Sequence, residues 1–225
     1  MDLAHFFNQR LTFVEYFHAN TTASFESIKN KIEAGEPPYV DTRHPDDPDD
    51  EPAFLEEWQR ADAAITITGA ACLDLLQSTF RAFLDEYMDL IGNKQVIPNL
   101  KKLEQKSWFG NYKKFFQDYL EIDWAASGAD LELLEQVILT RNDFTHNVDL
   151  LSLNSFQTTF YAKKYPNSAF ADPRWKTLFV EHTRLIVPGE MLQRAMGALR
   201  TLCEYLDHER YALMKRGGRK GSFKL

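Results

Sequence analysis

Thr140-Arg141-Asn142-Asp143-Phe144-Thr145-His146 closes an otherwise apolar stretch that begins at Asp130. Its spacing decides how the rest of the chain is read. Leu131, Leu134 and Ile138 recur at steps of three and four, the period of one buried helix face, with Asp130 as the N-cap. One more turn brings that stripe to Arg141 and Thr145, while Asn142 and His146, four apart, share the adjoining face. Arg141, Asn142 and His146 therefore project within about 140° of arc, at about 100° per residue. A guanidinium on a core-facing stripe is costly unless it is paired or opens onto a cleft or interface. Two readings follow. In one, Arg141 pairs with Asp143 or a distant carboxylate, and His146 only ends the helix favourably beside its dipole. In the other, five guanidinium donors, an amide and an imidazole of the kind that titrates near neutrality hold a phosphate and move a proton.

Outward from this motif the helical period continues. Residues 2–34 read as one long amphipathic helix with a heptad-like seam: Phe7, Leu11, Val14, His18, Thr21, Phe25, Ile28 and Ile32. Gly35 is a natural stop. The region 36–53 is rich in proline and acid (Asp46-Asp47, Asp49-Asp50-Glu51) and reads as an exposed acidic loop, or as a contact for a basic partner. Phe54 to Ile91 is helical again, with a broad apolar face from Ala70 to Ile91 that makes it the central helix. Within it, Thr66-Ile67-Thr68-Gly69 is a weak point for helix, and Gly69-Ala70-Ala71 permits a neighbouring helix to approach closely.

From Pro98 a third helical region interleaves Trp108, Tyr112, Phe115, Phe116 and Tyr119 with Lys101, Lys102, Lys106, Lys113 and Lys114. Its lysines face water while the aromatics face the core, or the two together bind RNA; Lys113 and Lys114 are the internal candidates for substrate contact. Leu150 to Ala162 reads as a further helix. Leu178-Phe179-Val180 and Leu185-Ile186-Val187 read as arms of a short β-hairpin near 178–187. A last helix starts at Pro188 and runs to about Met214, with the stripe Met191, Ala195, Leu199, Leu202 and Leu206. The fold expected is all-α: one antiparallel bundle of long helices over 1–214, followed by a flexible basic tail, 215–225. That tail carries Arg216, Arg219 and Lys220, candidates for non-specific RNA contact.

With 44% hydrophobic and 26% charged residues among 225, the chain has ordinary globular composition and enough length for one sizeable core. A formal charge of −7 argues against a protein that coats nucleic acid electrostatically, though a nuclease needs only a local basic surface. Cys72 and Cys203 each lie inside an apolar helical pattern, so they read as buried core thiols and not as a disulfide or zinc site. Met1-Asp2-Leu3-Ala4-His5 lacks the basic and apolar regions of a signal peptide, and no uninterrupted apolar run approaches membrane-spanning length. Cytoplasmic residence is expected, with no membrane contact.

Arg141-Asn142-x-x-x-His146 resembles the R-x4-H signature of the HEPN superfamily, in which a polar residue, often Asn, follows the arginine. The resemblance covers this short motif and its helical setting. It implies a HEPN-like helical bundle and a metal-independent endoribonuclease, of the kind found as toxins and in antiviral defence. Arg141, Asn142 and His146 would be the catalytic residues, RNA the substrate, and a homodimer the working form. No cofactor is implied, and an antitoxin or other regulatory protein is a possible partner. Two other classes stay open. One is a non-catalytic HEPN-like module that binds a partner or a nucleotide. The other is a di-metal bundle built on the carboxylate-x-x-His pairs Glu15/His18 and Asp143/His146, which would also need bridging carboxylates such as Glu135.

Overall fold

The first helix, α1 (Leu3–Ala34), is fixed at both ends by its own sequence. The Asp2 carboxylate accepts from the His5 amide, and Gly35 closes the helix in the left-handed conformation, φ 63°. Its seam is buried only at the N-terminal half: Phe7, Leu11 and Val14 are in the core, whereas His18, Phe25, Ile28 and Ile32 are half-covered. In the computed structural model, residues 1–42, 51–92, 107–146, 154–174 and 183–215 are described. Most of the expected acidic loop's charge, the 178–180 arm and the tail cations Arg216, Arg219 and Lys220 lie outside them.

The central helix, α2 (Leu55–Leu90), runs unbroken through the weak stretch 66–69. It lies antiparallel to α1, with Lys29 meeting Asp62 near one end and the ring of Phe7 meeting that of Phe83 near the other. An 18-residue window in α2 has mean hydropathy 1.3, apolar and long enough on those grounds to cross a membrane. Of that window 44% is buried, and Leu73, Leu76, Phe80, Leu84, Tyr87 and Met88 of the same helix lie in the core.

Next come α3 (Trp108–Leu120), a short 3-10 turn at Trp124–Ser127, and α4 (Leu131–His146). The aromatics of α3 do face inward: Phe109 and Phe116 pack with Phe80, Tyr87 and Trp124. The last helix, α6 (Gly189–Lys215), lies antiparallel to α1, with Asn8 against Arg200 and Glu204 and the Ala4 amide on Asp207. Lys215 is thus the end of this helix and not the start of a tail. The all-α expectation is met: the described residues form helices and isolated β-bridges.

Two local expectations differ. The helix expected over Leu150–Ala162 is only α5 (Thr159–Lys164) among the described residues, and 154–158 is not helical. Thr158 is the reason: its hydroxyl caps α5 by accepting from the Tyr161 amide, while its own amide donates to Asp143 across the chain. The 183–187 segment has partners other than the hairpin arm proposed for it. Leu185 donates to the Ser155 carbonyl at 2.8 Å and Gln157 to Thr183 at 2.9 Å on one side; Ile186 donates to Phe170 and Asp172 to Arg184, both at 2.9 Å, on the other. These three short segments cap the bundle. The small residue Gly69 serves the close approach of this cap, not of a helix: a Cβ there would meet the Cβ of Val187 at 2.5 Å.

Candidate functional site

Asp130 starts α4 as expected, its carboxylate accepting from the Leu133 amide at 2.9 Å. Leu134 and Ile138 are buried, and beyond them the stripe turns polar at the contact with α2. There Arg141 donates through Nε to Asp74 Oδ1 at 2.6 Å, and its Nη2 lies 2.6 Å from the same oxygen. Its Nη1 donates to the Asn142 side-chain oxygen at 3.4 Å. The Arg141 side chain is one-quarter exposed and Asp74 half exposed, so the pair sits at the rim of the helix contact and still reaches solvent. A rim pair is screened, and contributes position more than stability.

Of the two counter-ions open from the sequence, the distant carboxylate is the one used. Asp143 is buried and accepts from the Thr158 amide at 2.8 Å, so it belongs to the cap of α5. Asp74 was missed by sequence reasoning. It is the only acidic residue between Asp62 and Asp85, on a helix otherwise read for its apolar face, and that isolation was the available signal. His146 is exposed at the end of α4, one turn beyond Asn142. The motif therefore comprises a fixed guanidinium, a half-buried amide and an open imidazole.

The other predicted contacts are not gathered here. Lys114 pairs with Asp118 at 2.6 Å along α3. Lys113 lines a polar groove of about 540 Å³ together with Ser107, Glu132, Glu135, Lys164 and Tyr165. Burial works against the charge of Glu135, but hydrogen bonds from Lys164 and Tyr165 outweigh it and hold its carboxyl below the usual range. Glu135 lies seven residues before Asn142 and eleven before His146, on the same side of α4, so this groove and the motif are separated along the helix, by about 10–17 Å, and not round it. Glu135 is also committed to Lys164 and Tyr165, away from His146. Among the described residues, no three His, Cys, Asp or Glu side chains come together in a way that could hold a metal ion. Cys72 and Cys203 are free and buried, and burial pushes the Cys72 thiol up to about 11.

Neither family models, nor curated proteins, nor solved structures show a significant similarity to this chain.

Proposed function

We propose that this chain is a HEPN-type, metal-independent endoribonuclease, acting as a toxin or defence enzyme in the cytoplasm. The observation that supports the reading is the arrangement of the Arg141 guanidinium. It is anchored through Nε and Nη2 by Asp74, yet remains partly in solvent on the helix that ends at the exposed His146. RNA carries its own nucleophile, the 2′-hydroxyl beside the scissile phosphate. His146 accepts that proton or donates one to the departing 5′-oxygen. Arg141 stabilises the charge that gathers on the phosphate oxygens, and Asn142 orients the guanidinium or the phosphate. The products are a 2′,3′-cyclic phosphate and a 5′-hydroxyl. One histidine per chain serves one proton transfer at a time, so a homodimer supplying a second His146 suits the chemistry. An antitoxin or regulatory protein would act by covering this rim.

The test is incubation of the purified protein with a mixed RNA pool in EDTA, followed by end-group analysis. Cleavage leaving cyclic phosphate is the expected result. Intact RNA, or cutting that appears only with a divalent ion, overturns the proposal.

A second reading draws on the same ion pair. Arg141 bound to Asp74 also suits a HEPN-like interaction module, in which the pair serves to fix α4 on α2. It predicts intact RNA, and a loss of no more than about 1 kcal/mol of stability when Arg141 is removed, since the pair lies at a rim.

A further inference from the structure

We infer that the outer face of α1 and α2 is an interface for a second copy of this chain. On α2, Ile67, Ala71, Leu75, Ser78 and Ala82 form a continuous exposed strip without a charge. Their steps of four and three place them on one side of the helix, opposite the buried face. Along one edge of the strip runs α1, where Phe6 and Arg10 border a groove of about 620 Å³ shared with Leu75, Thr79 and Phe83. Phe13 and Phe17, seven and eleven residues after Phe6, continue that edge, their rings stacked 6.5 Å apart. Along the other edge lies Asp74 with Arg141.

The apolar surface left in water is of the size of the apolar share of a standard interface. Phe6 is 54% exposed, Phe13 58%, Ile67 54% and Leu75 37%. A half-exposed aromatic leaves on the order of 100 Å² in water. With Ile67, Leu75 and the alanines, the face reaches several hundred Å², comparable to the largest patch on a typical monomer, about 300–600 Å². A standard interface buries about 800 Å² per partner, a little over half of it apolar. The small residues Ala71, Ser78 and Ala82 leave room for a facing helix to come close.

Charge selects the occupant. Among its described lining residues the groove carries charge of both signs, including the exposed cation Arg10 and the exposed anion Glu86. An acidic or a basic partner would leave one of them facing a like charge. A second copy related by a two-fold axis offers an anion for the cation and a cation for the anion. The interface stands on this face alone. Its consequence, that the Arg141 motifs of both copies border one seam, rests on the ribonuclease reading.

The experiment is sedimentation of the full chain across micromolar concentrations, for wild type, Phe13→Asp and Leu75→Asp, with circular dichroism and melting recorded for each. Wild type is expected at the mass of two chains. Both variants should keep the wild-type spectrum and raise the dissociation constant by about 30-fold or more. Wild type at the mass of one chain throughout overturns the interface, as does a dimer indifferent to both substitutions. RNA cleavage measured on the same samples separates the two claims. A dimer disrupted by the substitutions, with no cleavage by wild type, upholds the interface and removes the enzyme. Monomeric variants that cut at the wild-type rate uphold the interface and remove the two-histidine chemistry.

Discussion

Arg141 on α4 and Asp74 on α2, sixty-seven residues apart in sequence, meet at 2.6 Å through the guanidinium Nε. Nε and Nη2 converge on one carboxylate oxygen, which fixes the plane of the guanidinium and leaves Nη1 toward Asn142. Asp74 is thereby a positioning residue for the proposed site. Asp74→Asn keeps an acceptor oxygen at the same place and should cost little activity. Asp74→Ala lets the guanidinium drift, and misplacement of about 1 Å costs up to about 100-fold. The pair is solvent-reaching, so melting should shift by no more than about 1 kcal/mol in either variant. Equal cleavage rates for the two variants would remove this role from Asp74.

His146→Ala and Arg141→Ala separate the enzyme from the interaction module. In the enzyme, His146→Ala removes proton transfer, worth about 10²–10⁴-fold, and Arg141→Ala removes charge stabilisation, about 10²–10³-fold. His146 is exposed and Arg141 is at a rim, so both variants should melt with wild type. Thermal melting beside cleavage reads both effects. Lost cleavage with unchanged melting identifies catalysis, and a wild type that leaves RNA intact identifies the pair as structural.

The bundle was legible because helix periodicity is a local property. Leu131, Leu134 and Ile138 announce α4, and Met191 to Leu206 announce α6, whatever they pack against. Asp74 stands out as a lone acid on an apolar stretch, but nothing local to it names Arg141, sixty-seven positions away, as its partner. The cap failed for a related reason. Leu185-Ile186-Val187 reads as extended, but its partners are single bridges at Phe156 and Ala171, too short to leave an alternating pattern in those segments. The exposed Phe6 and Phe13 lay outside the seam from Phe7 to Ile32, and a seam reading does not ask what the opposite edge carries.

The cap and bundle are tied by a buried charge network whose acid response is predictable. Asp62 sits between Lys29 and Arg184, both at 2.5 Å, and Arg184 also reaches Asp172, which Arg174 grips through Nε and Nη2 at 3.0 Å. Burial raises the pKa of both carboxyls, and the hydrogen bonds from Lys29 and Arg184 to Asp62, and from Arg174 to Asp172, overcome it, leaving each below its ordinary value. A folded pKa below the unfolded one means stability that is present above the unfolded carboxylate value, about 3.9, and is lost as pH falls through the folded value. The melting temperature of wild type should therefore drop steeply below about pH 4. Asp172→Asn should be less stable at neutral pH and show a shallower drop. Arg184→Ala, which leaves two buried carboxylates short of a partner, should cost about 3–5 kcal/mol at neutral pH. Parallel acid profiles for wild type and Asp172→Asn would show that this network does not govern the response.

Gly69→Ala gives the sharpest check of how α2 meets the cap. On helix propensity alone the substitution should stabilise, because alanine is better than glycine in a helix interior by about 1 kcal/mol. The added Cβ, however, would stand 2.5 Å from the Val187 Cβ, closer than van der Waals contact allows, and 3.0 Å from its Cγ1, a tight contact. Val187 is held by its neighbours Leu185 and Ile186, which bond to Ser155 and Phe170, so it cannot simply retreat. Overpacking of this kind costs about 1–3 kcal/mol, which outweighs the propensity gain. Gly69→Ala should therefore lower stability in denaturant melts. Val187→Gly loses the whole buried side chain and should also destabilise, yet the double variant should be more stable than the sum of the two single losses, since glycine at 187 removes the Cβ that the new methyl group would meet. A stabilised Gly69→Ala protein, or strictly additive losses, would mean that the cap does not press on α2 at this point.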